Sequence, residues 1–275
     1  MRRVHLTKMI WLYPILILLA LFILYPVVWM IYSSFKSNTA IMANVFSLPN
    51  GLYFGNYITV FTDGMMGVFF KNSLIITSVS VAGLVVISSL AAYAFASMRF
   101  KGHTALFLFF LIGLMVPPQA LIISGFKLMS ILHLLDTYWA LFFSYFGWAS
   151  FGILVLRDFF QSVPREIKEA ARTDGANHWD MYLRIMLPLA RPSLATIAIF
   201  YFMWIWNDFI YPLVYVQSNE MYTVPLGVMF LNGQYDIEWG AQMAGLAVAT
   251  VIPLIVYYVF QKQFIRGITA GALKG

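Results

Sequence analysis

Six stretches of this chain run for about twenty residues each with almost no charge, long enough to cross roughly 30 Å of hydrocarbon as helices. They cover Met9–Tyr32, Asn72–Ser97, Thr104–Ser124, Thr137–Leu156, Pro192–Val216 and Gly240–Phe260. Transmembrane strands would instead read as segments of about ten alternating residues. Composition agrees: 61% of the residues are hydrophobic and 10% charged, against roughly 25% charged in an average soluble domain. Mean hydropathy is +0.81, which excludes an ordinary soluble globule and a disordered chain alike. The first run is too long for a signal-peptide core and no clear small-residue cleavage site follows it, so it is expected to be retained as a helix. The expected fold is an all-α integral membrane bundle of six transmembrane helices.

The basic residues set an orientation. Alternating six helices places fourteen of the seventeen lysines and arginines on one side and leaves Lys36, Lys71 and Lys127 on the other. The positive-inside bias then puts both termini in the cytoplasm. A nucleic-acid surface competes as a reading of the net charge of +6, but membrane topology accounts for the same residues. No nucleic-acid partner is expected. Zero cysteines exclude disulfides, thiolate metal sites and a cysteine nucleophile. The histidines His5, His103, His133 and His178 are scattered without metal-ligand spacing. No nucleophile–base pair is readable within the spans, so the chain is not expected to be an enzyme.

Outside the spans, residues 33–71 form an outer loop expected to be partly folded. Gly125–Asp136 reads equally as a connecting loop or as an interfacial helix exposing Phe126, Met129 and Ile131. Residues 217–239 form a second outer segment with Glu220, Asp236 and Glu238. Ser88, Ala92 and Ala96, and likewise Ala241, Gly245 and Ala249, have the spacing that lets helices approach closely. Pro117-Pro118 and Pro253 are expected to kink or break the third and sixth spans.

The segment 157–191 is unlike the rest, holding 11 of the chain's 28 charged residues. Pro164 suits the start of a helix in which Ile167, Ala170 and Ala171 form a narrow apolar stripe. Asp174-Gly175 ends that helix, since glycine tolerates positive φ. Asn177 caps a second helix, with Trp179, Tyr182, Leu183, Met186 and Leu187 on one face and Asp180 four residues before Arg184 on another. Pro188 and Pro192 end it and open the fifth span. The result is a helix–turn–helix that either anchors the bundle at the interface or docks another protein.

Glu169-Ala170-Ala171, Asp174-Gly175-Ala176, Ile185, Leu187 and Pro188 resemble the EAA loop of ABC-importer permeases. Leu90-Ala91-Ala92-Tyr93-Ala94-Phe95-Ala96, Trp206-Asn207-Asp208-Phe209 and the tail from Phe264 to Gly275 resemble the carbohydrate-uptake, maltose-type branch of that family. The resemblance implies one permease domain over residues 1–275, with 157–191 its cytoplasmic coupling loop, in a prokaryotic cytoplasmic (inner) membrane. It implies a second permease subunit, usually a different one, two cytoplasmic ABC ATPase subunits, an extracytoplasmic solute-binding protein and a sugar substrate. The ATPase would contact Glu169, Ala170, Ala171, Asp174, Gly175 and Ala176, with Thr269–Gly275 a second contact. The chain contains no G-x-x-x-x-G-K-[ST], so ATP and Mg are expected on the partner ATPase and no cofactor on this chain. An ABC permease for an amino acid or peptide, and an ion-coupled secondary transporter, stay open as alternatives. The latter normally needs several intramembrane ionisable residues, of which Asp208 is the main one here.

Asn207 and Asp208, with Trp204 and Trp206, carry two readings. They form a polar site on the substrate path, or a hydrogen bond between helices or at a helix end that sets where the fifth span stops.

Overall fold

The computed structural model describes residues 12–231 and 238–272, from 262 onward by backbone alone. Arg2, Arg3, His5, Lys8, Asp236 and residues 273–275 of the tail lie outside the described residues. The chain is an all-α multi-pass membrane protein with up to six apolar spans. Two compact units divide it, Met1–Gly67 with Gly227–Val251, and Val68–Leu226 with Ile252–Gly275.

In the first unit α1 (Leu12–Ser33) follows from an unbroken Leu/Ile/Ala run that leaves no polar face. Every residue from Leu12 to Pro26 is exposed, which suits a helix surrounded by lipid or by another chain. The segment 33–71, expected as a partly folded outer loop, contains short helices and a polar clamp. Lys36 is buried and its ammonium donates to the carbonyls of Asn44 (2.7 Å), Val45 (3.4 Å) and Ser47 (3.0 Å). Asn56 Nδ2 donates to the carbonyls of Ser34 and Lys36, each at 2.8 Å. Around this clamp pack the short helices α2 (Asn38–Ala43) and α3 (Gly55–Thr62), which bury Ile41 and Val60.

In the second unit α4 (Met66–Ser97) starts six residues before its expected first residue, Asn72, because Lys71 stays exposed on a helix that continues through it. Its inner face is mixed: Asn72, Ser73, Thr77, Ser80, Ser88 and Ser89 are buried beside Phe69, Ile76, Leu84, Ala92 and Phe95. Four of them, Asn72, Ser73, Ser88 and Ser89, bond α4 to its neighbours. Asn72 Nδ2 donates to the carbonyls of Glu220 (2.7 Å) and Tyr222 (2.9 Å), and its Oδ1 accepts from Tyr138 Oη (2.7 Å). Ser88 Oγ donates to the Ala149 carbonyl at 3.1 Å and contacts Tyr201 Oη at 3.2 Å, and Tyr201 Oη also accepts from Gly152 N at 2.8 Å. The Ser88/Ala92 stripe therefore makes helix contacts within this chain.

Two expected spans are bent and a third is interrupted. α5 (His103–Met115) and the segment Pro118–Ile131, which includes α6 (Ile122–Ile131), meet at 97° at Pro117-Pro118. Thus 125–131 is helical, but Met129 is buried and Phe126 packs on the core, so of the three residues expected at the interface only Ile131 is fully exposed. α7 (Tyr138–Phe146) and α8 (Ala149–Ser162) meet at 41°. α8 runs six residues past its expected end at Leu156, because the Arg157 guanidinium lies 3.9 Å over the Phe107 ring and is partly shielded there. The fifth span is interrupted: α11 (Arg191–Trp206) ends there, and a separate short helix α12 (Ile210–Tyr215) follows it. After α13 (Val224–Met229), α14 (Trp239–Ala272) runs unbroken through Pro253, contrary to the break that proline allowed. One missing backbone donor is tolerated inside a long apolar helix.

Candidate functional site

Two features of the second unit are candidates for function, and the hairpin comes first. Pro164 is the N-cap of α9 (Arg165–Thr173), and Lys168 Nζ folds back to the Phe160 carbonyl at 2.9 Å, tying α9 to the end of α8. Burial first, then the charges of Arg165 and Arg172, hold the Lys168 pKa below its ordinary value. Gly175 has φ +85°, and its amide donates to the Arg172 carbonyl at 3.0 Å while Ala176 N donates to the Ala171 carbonyl at 2.9 Å. Asn177 Oδ1 accepts from Trp179 N (2.8 Å) and Asp180 N (3.0 Å), as the cap reading required. Asp180 and Arg184 pair at 3.4 Å.

Both apolar faces differ from expectation. On α9 only Ala171 is buried, while Ile167 is 40% exposed, because this helix lies on the surface and meets the bundle through one small side chain. On α10 (His178–Leu189) the buried residues are Met181, Tyr182 and Met186, whereas Trp179 and Leu183 are exposed. Residues Met181–Met186 are π-helical, with a wider turn that rotates the face away from the 3.6-residue register. Tyr182 Oη then reaches Ser89 Oγ at 2.8 Å. Of the six coupling candidates, Glu169, Ala170, Asp174 and Gly175 are exposed, Ala176 is half-buried and Ala171 is buried. The first four present a surface, and the two alanines hold that surface to the bundle.

The second feature is a cavity of about 480 Å³ where α11 (Arg191–Trp206) ends. Trp204, Asn207 and Asp208 line it together with Gln119, Trp148, Ser150 and Tyr211. Trp206 does not; it is buried, stacked on Phe202 at 5.6 Å and edge-on to Phe70 at 5.8 Å. Asp208 is tied in two directions, Oδ2 accepting from Tyr145 Oη at 2.8 Å and Oδ1 from Ile210 N at 3.2 Å. The carboxyl therefore links two helices and starts α12 while bordering the cavity, so the structural and lining positions belong to one residue. Asn207 Nδ2 turns back to the Met203 carbonyl at 2.7 Å. Tyr145, Trp148 and Tyr211 escaped the sequence reading because they belong to an aromatic-rich background with no spacing signal. Gln119 arrives only through the bend at Pro117-Pro118.

Two of the described histidines have separate partners: His103 Nε2 meets the Phe95 carbonyl at 2.9 Å, and His178 Nδ1 meets Tyr93 Oη at 3.3 Å. Among the described residues no group of three or more His, Asp or Glu side chains could hold a metal ion.

Known proteins match this arrangement over most of its length. The family described as "Binding-protein-dependent transport system inner membrane component" matches residues 83–270. The arabinooligosaccharides transport system permease protein AraQ of Halalkalibacterium halodurans is 36% identical over 262 residues, covering 94% of this chain and 93% of that one. The trehalose/maltose transport system permease protein MalG of Thermococcus litoralis is 34% identical, with 94% of each chain covered. Among solved structures, a chain of a bacterial ABC transporter involved in the import of the acidic polysaccharide alginate superposes with a TM-score of 0.84 at 25% identity, covering 96% of this chain and 99% of that one. With the family profile spanning the hairpin and the cavity alike, this chain belongs to the binding-protein-dependent transport system inner membrane components, the permease subunits of ABC importers.

Proposed function

We propose that this chain is the permease subunit of an ATP-driven, binding-protein-dependent sugar importer of the maltose type, forming half of the translocation pore. Residues 1–275 act as one permease domain with both termini cytoplasmic, and 157–191 is its coupling loop. Its partners are a second, different permease subunit, two cytoplasmic ABC ATPases that bind ATP and Mg, and an extracytoplasmic solute-binding protein. The named relatives that serve arabinooligosaccharides, trehalose/maltose and diacetylchitobiose support a sugar over an amino acid or peptide.

The single observation that carries this reading is the exposed surface of Glu169, Ala170, Asp174 and Gly175 on a hairpin anchored at Ala171 and Tyr182 and capped at Asn177. A coupling element must transmit displacement, so it needs a stiff helix, a defined turn and a charged contact that sets register. α9, the positive-φ Gly175 and Glu169 meet those needs. ATPase closure moves α9 as a rigid body, and the bundle converts that motion into access to the cavity at Trp204, Asn207 and Asp208 from alternate sides. There the amide and the carboxyl hydrogen-bond sugar hydroxyls, Trp204 offers a stacking face, and Trp206 supports them from the packed side.

The test is reconstitution of the assembled complex with Glu169→Ala and Gly175→Val. Both variants are expected to insert normally, to co-purify less ATPase and to lose transport-coupled hydrolysis. Normal co-purification with normal uptake in both would remove these residues from coupling. Uptake of amino acids or peptides in preference to neutral oligosaccharides would overturn the substrate class.

A further inference from the structure

A second concave surface lies beside the hairpin. The last turn of α4, the turn Met98–Phe100, α9 and His178 surround a groove of about 760 Å³. Four basic side chains border it, Arg99, Arg165, Lys168 and Arg172, against one carboxylate, Glu169. None of the four makes an ion pair among the described residues, where the pair found is Arg184–Asp180. The uncompensated field acts on Lys168, which burial and then Arg165 and Arg172 make easier to deprotonate than an ordinary lysine. A recess of about 160 Å³ adjoins the groove, and Ser97 and Lys168 line both. Ser97 Oγ is buried and has no hydrogen-bond partner among the described residues.

Depth narrows the choice of anion. Ser97 ends the apolar helix α4, so the groove lies at headgroup level. Phe100 (40% exposed) borders it, and the neighbouring α10 exposes Trp179 (63%) and Leu183 (53%), the kinds of side chain that settle in the interfacial layer. Higher on α4, Val86, Ile87 and Leu90 are exposed within about 17 Å of Ser97 at 1.5 Å per residue, which is acyl-chain depth. A free phosphate or a protein carboxylate would use the cations and leave this apolar surface unused.

We propose that this groove binds the phosphate of an anionic phospholipid headgroup, with Arg99 and Lys168 the main contacts and Ser97 Oγ donating to a headgroup oxygen. The inference does not depend on the sugar; the groove shares Glu169 with the proposed ATPase contact, so lipid and ATPase retention are read separately.

The assembled transporter, in nanodiscs of phosphatidylglycerol and phosphatidylethanolamine, is compared by native mass spectrometry with the double variant Arg99→Gln, Lys168→Gln. Each basic charge removed near an anionic surface is expected to weaken headgroup binding roughly fivefold, so phosphatidylglycerol affinity falls about 30-fold while phosphatidylethanolamine retention is unchanged. The charge-keeping pair Arg99→Lys, Lys168→Arg is expected to hold phosphatidylglycerol, which separates lost charge from lost folding. Phosphatidylglycerol retained by the Gln variant, or lost equally by both pairs, overturns the proposal. So does full displacement of the lipid by inorganic phosphate, which would mark a free-anion site. Loss of the ATPase subunits from the Gln variant with lipid retention intact would assign the groove to a protein carboxylate and equally defeat it.

Discussion

Tyr145→Phe isolates the hydrogen bond that joins α7 to the break in the fifth span. Tyr145 is fully buried, with Trp148 at 5.1 Å and Tyr211 at 5.8 Å between ring centroids. Phenylalanine keeps that packing and removes only the hydroxyl, which donates to Asp208 Oδ2 at 2.8 Å. Leaving a buried acceptor without its donor costs about 1–3 kcal/mol. Asp208 also borders a cavity of about 480 Å³, large enough for water to replace the lost donor. The expected cost therefore lies in the lower part of that range, about 1–2 kcal/mol, or roughly 5- to 30-fold in a local opening equilibrium. The Ile210 amide reads that opening, because its acceptor is the other oxygen of the same carboxyl at 3.2 Å. Hydrogen exchange followed over a peptide spanning 205–215 should accelerate by that factor, with exchange in α9 unchanged. Asp208→Asn keeps an acceptor oxygen and should accelerate exchange less than Tyr145→Phe. If exchange at Ile210 in Tyr145→Phe stays within about twofold of wild type, the bond contributes nothing, and Asp208 is not held by α7.

Gly152→Ala would place its Cβ 2.5 Å from Ser88 Oγ and from Tyr201 Oη and 2.7 Å from Ser88 Cβ, so the α4–α8–α11 junction must spread. A destabilisation of about 1–3 kcal/mol, measured as a lower melting temperature of the purified complex, is expected, and an unchanged melt would contradict that packing. Asp136 Oδ1 accepts from Gln217 N (3.0 Å), Ser218 N (3.0 Å) and Ser218 Oγ (2.9 Å). Burial pushes this carboxyl up, but the bonds from Ser218 and Gln217 outweigh it and hold the pKa below its ordinary value. The anchoring is thus complete above the ordinary carboxylate pKa and is lost as pH falls through the lowered one. Protection of the Gln217 and Ser218 amides, relative to the intrinsic exchange rate at each pH, should fall in acid for wild type and be low at every pH in Asp136→Ala. Orientation is checked with single cysteines: those replacing Lys101 and Glu166 should resist an impermeant thiol reagent in cells whose cytoplasmic membrane is intact and whose outer layers are permeable to it, and those replacing Asn50 and Lys127 should react. Labelling of position 166 from outside would reverse the topology and detach the hairpin from a cytoplasmic ATPase.

Much of this protein was legible before folding because hydrocarbon tolerates few backbone solutions. Where no water can satisfy N–H and C=O groups, twenty apolar residues dictate a helix whatever its neighbours are. The spans, the stop at Gly175, the cap at Asn177 and the Asp180–Arg184 pair are local consequences of residue type, so sequence alone determined them. Register and pairing between distant segments are different, because they depend on which surfaces meet. The π-helical turn at Met181–Met186 turns Tyr182 to Ser89 across 93 residues and exposes Trp179, against a helical periodicity that placed both on one face. The buried polar residues of α4 are invisible in any hydropathy average, yet Asn72 and Ser88 are where distant segments bond to it. Asp208 makes the same point at the candidate site. Its cost in a membrane was readable from position, but its partner Tyr145 lies 63 residues earlier and only tertiary packing brought the two together. A carboxyl in an apolar span demands partners, and the fold chose them.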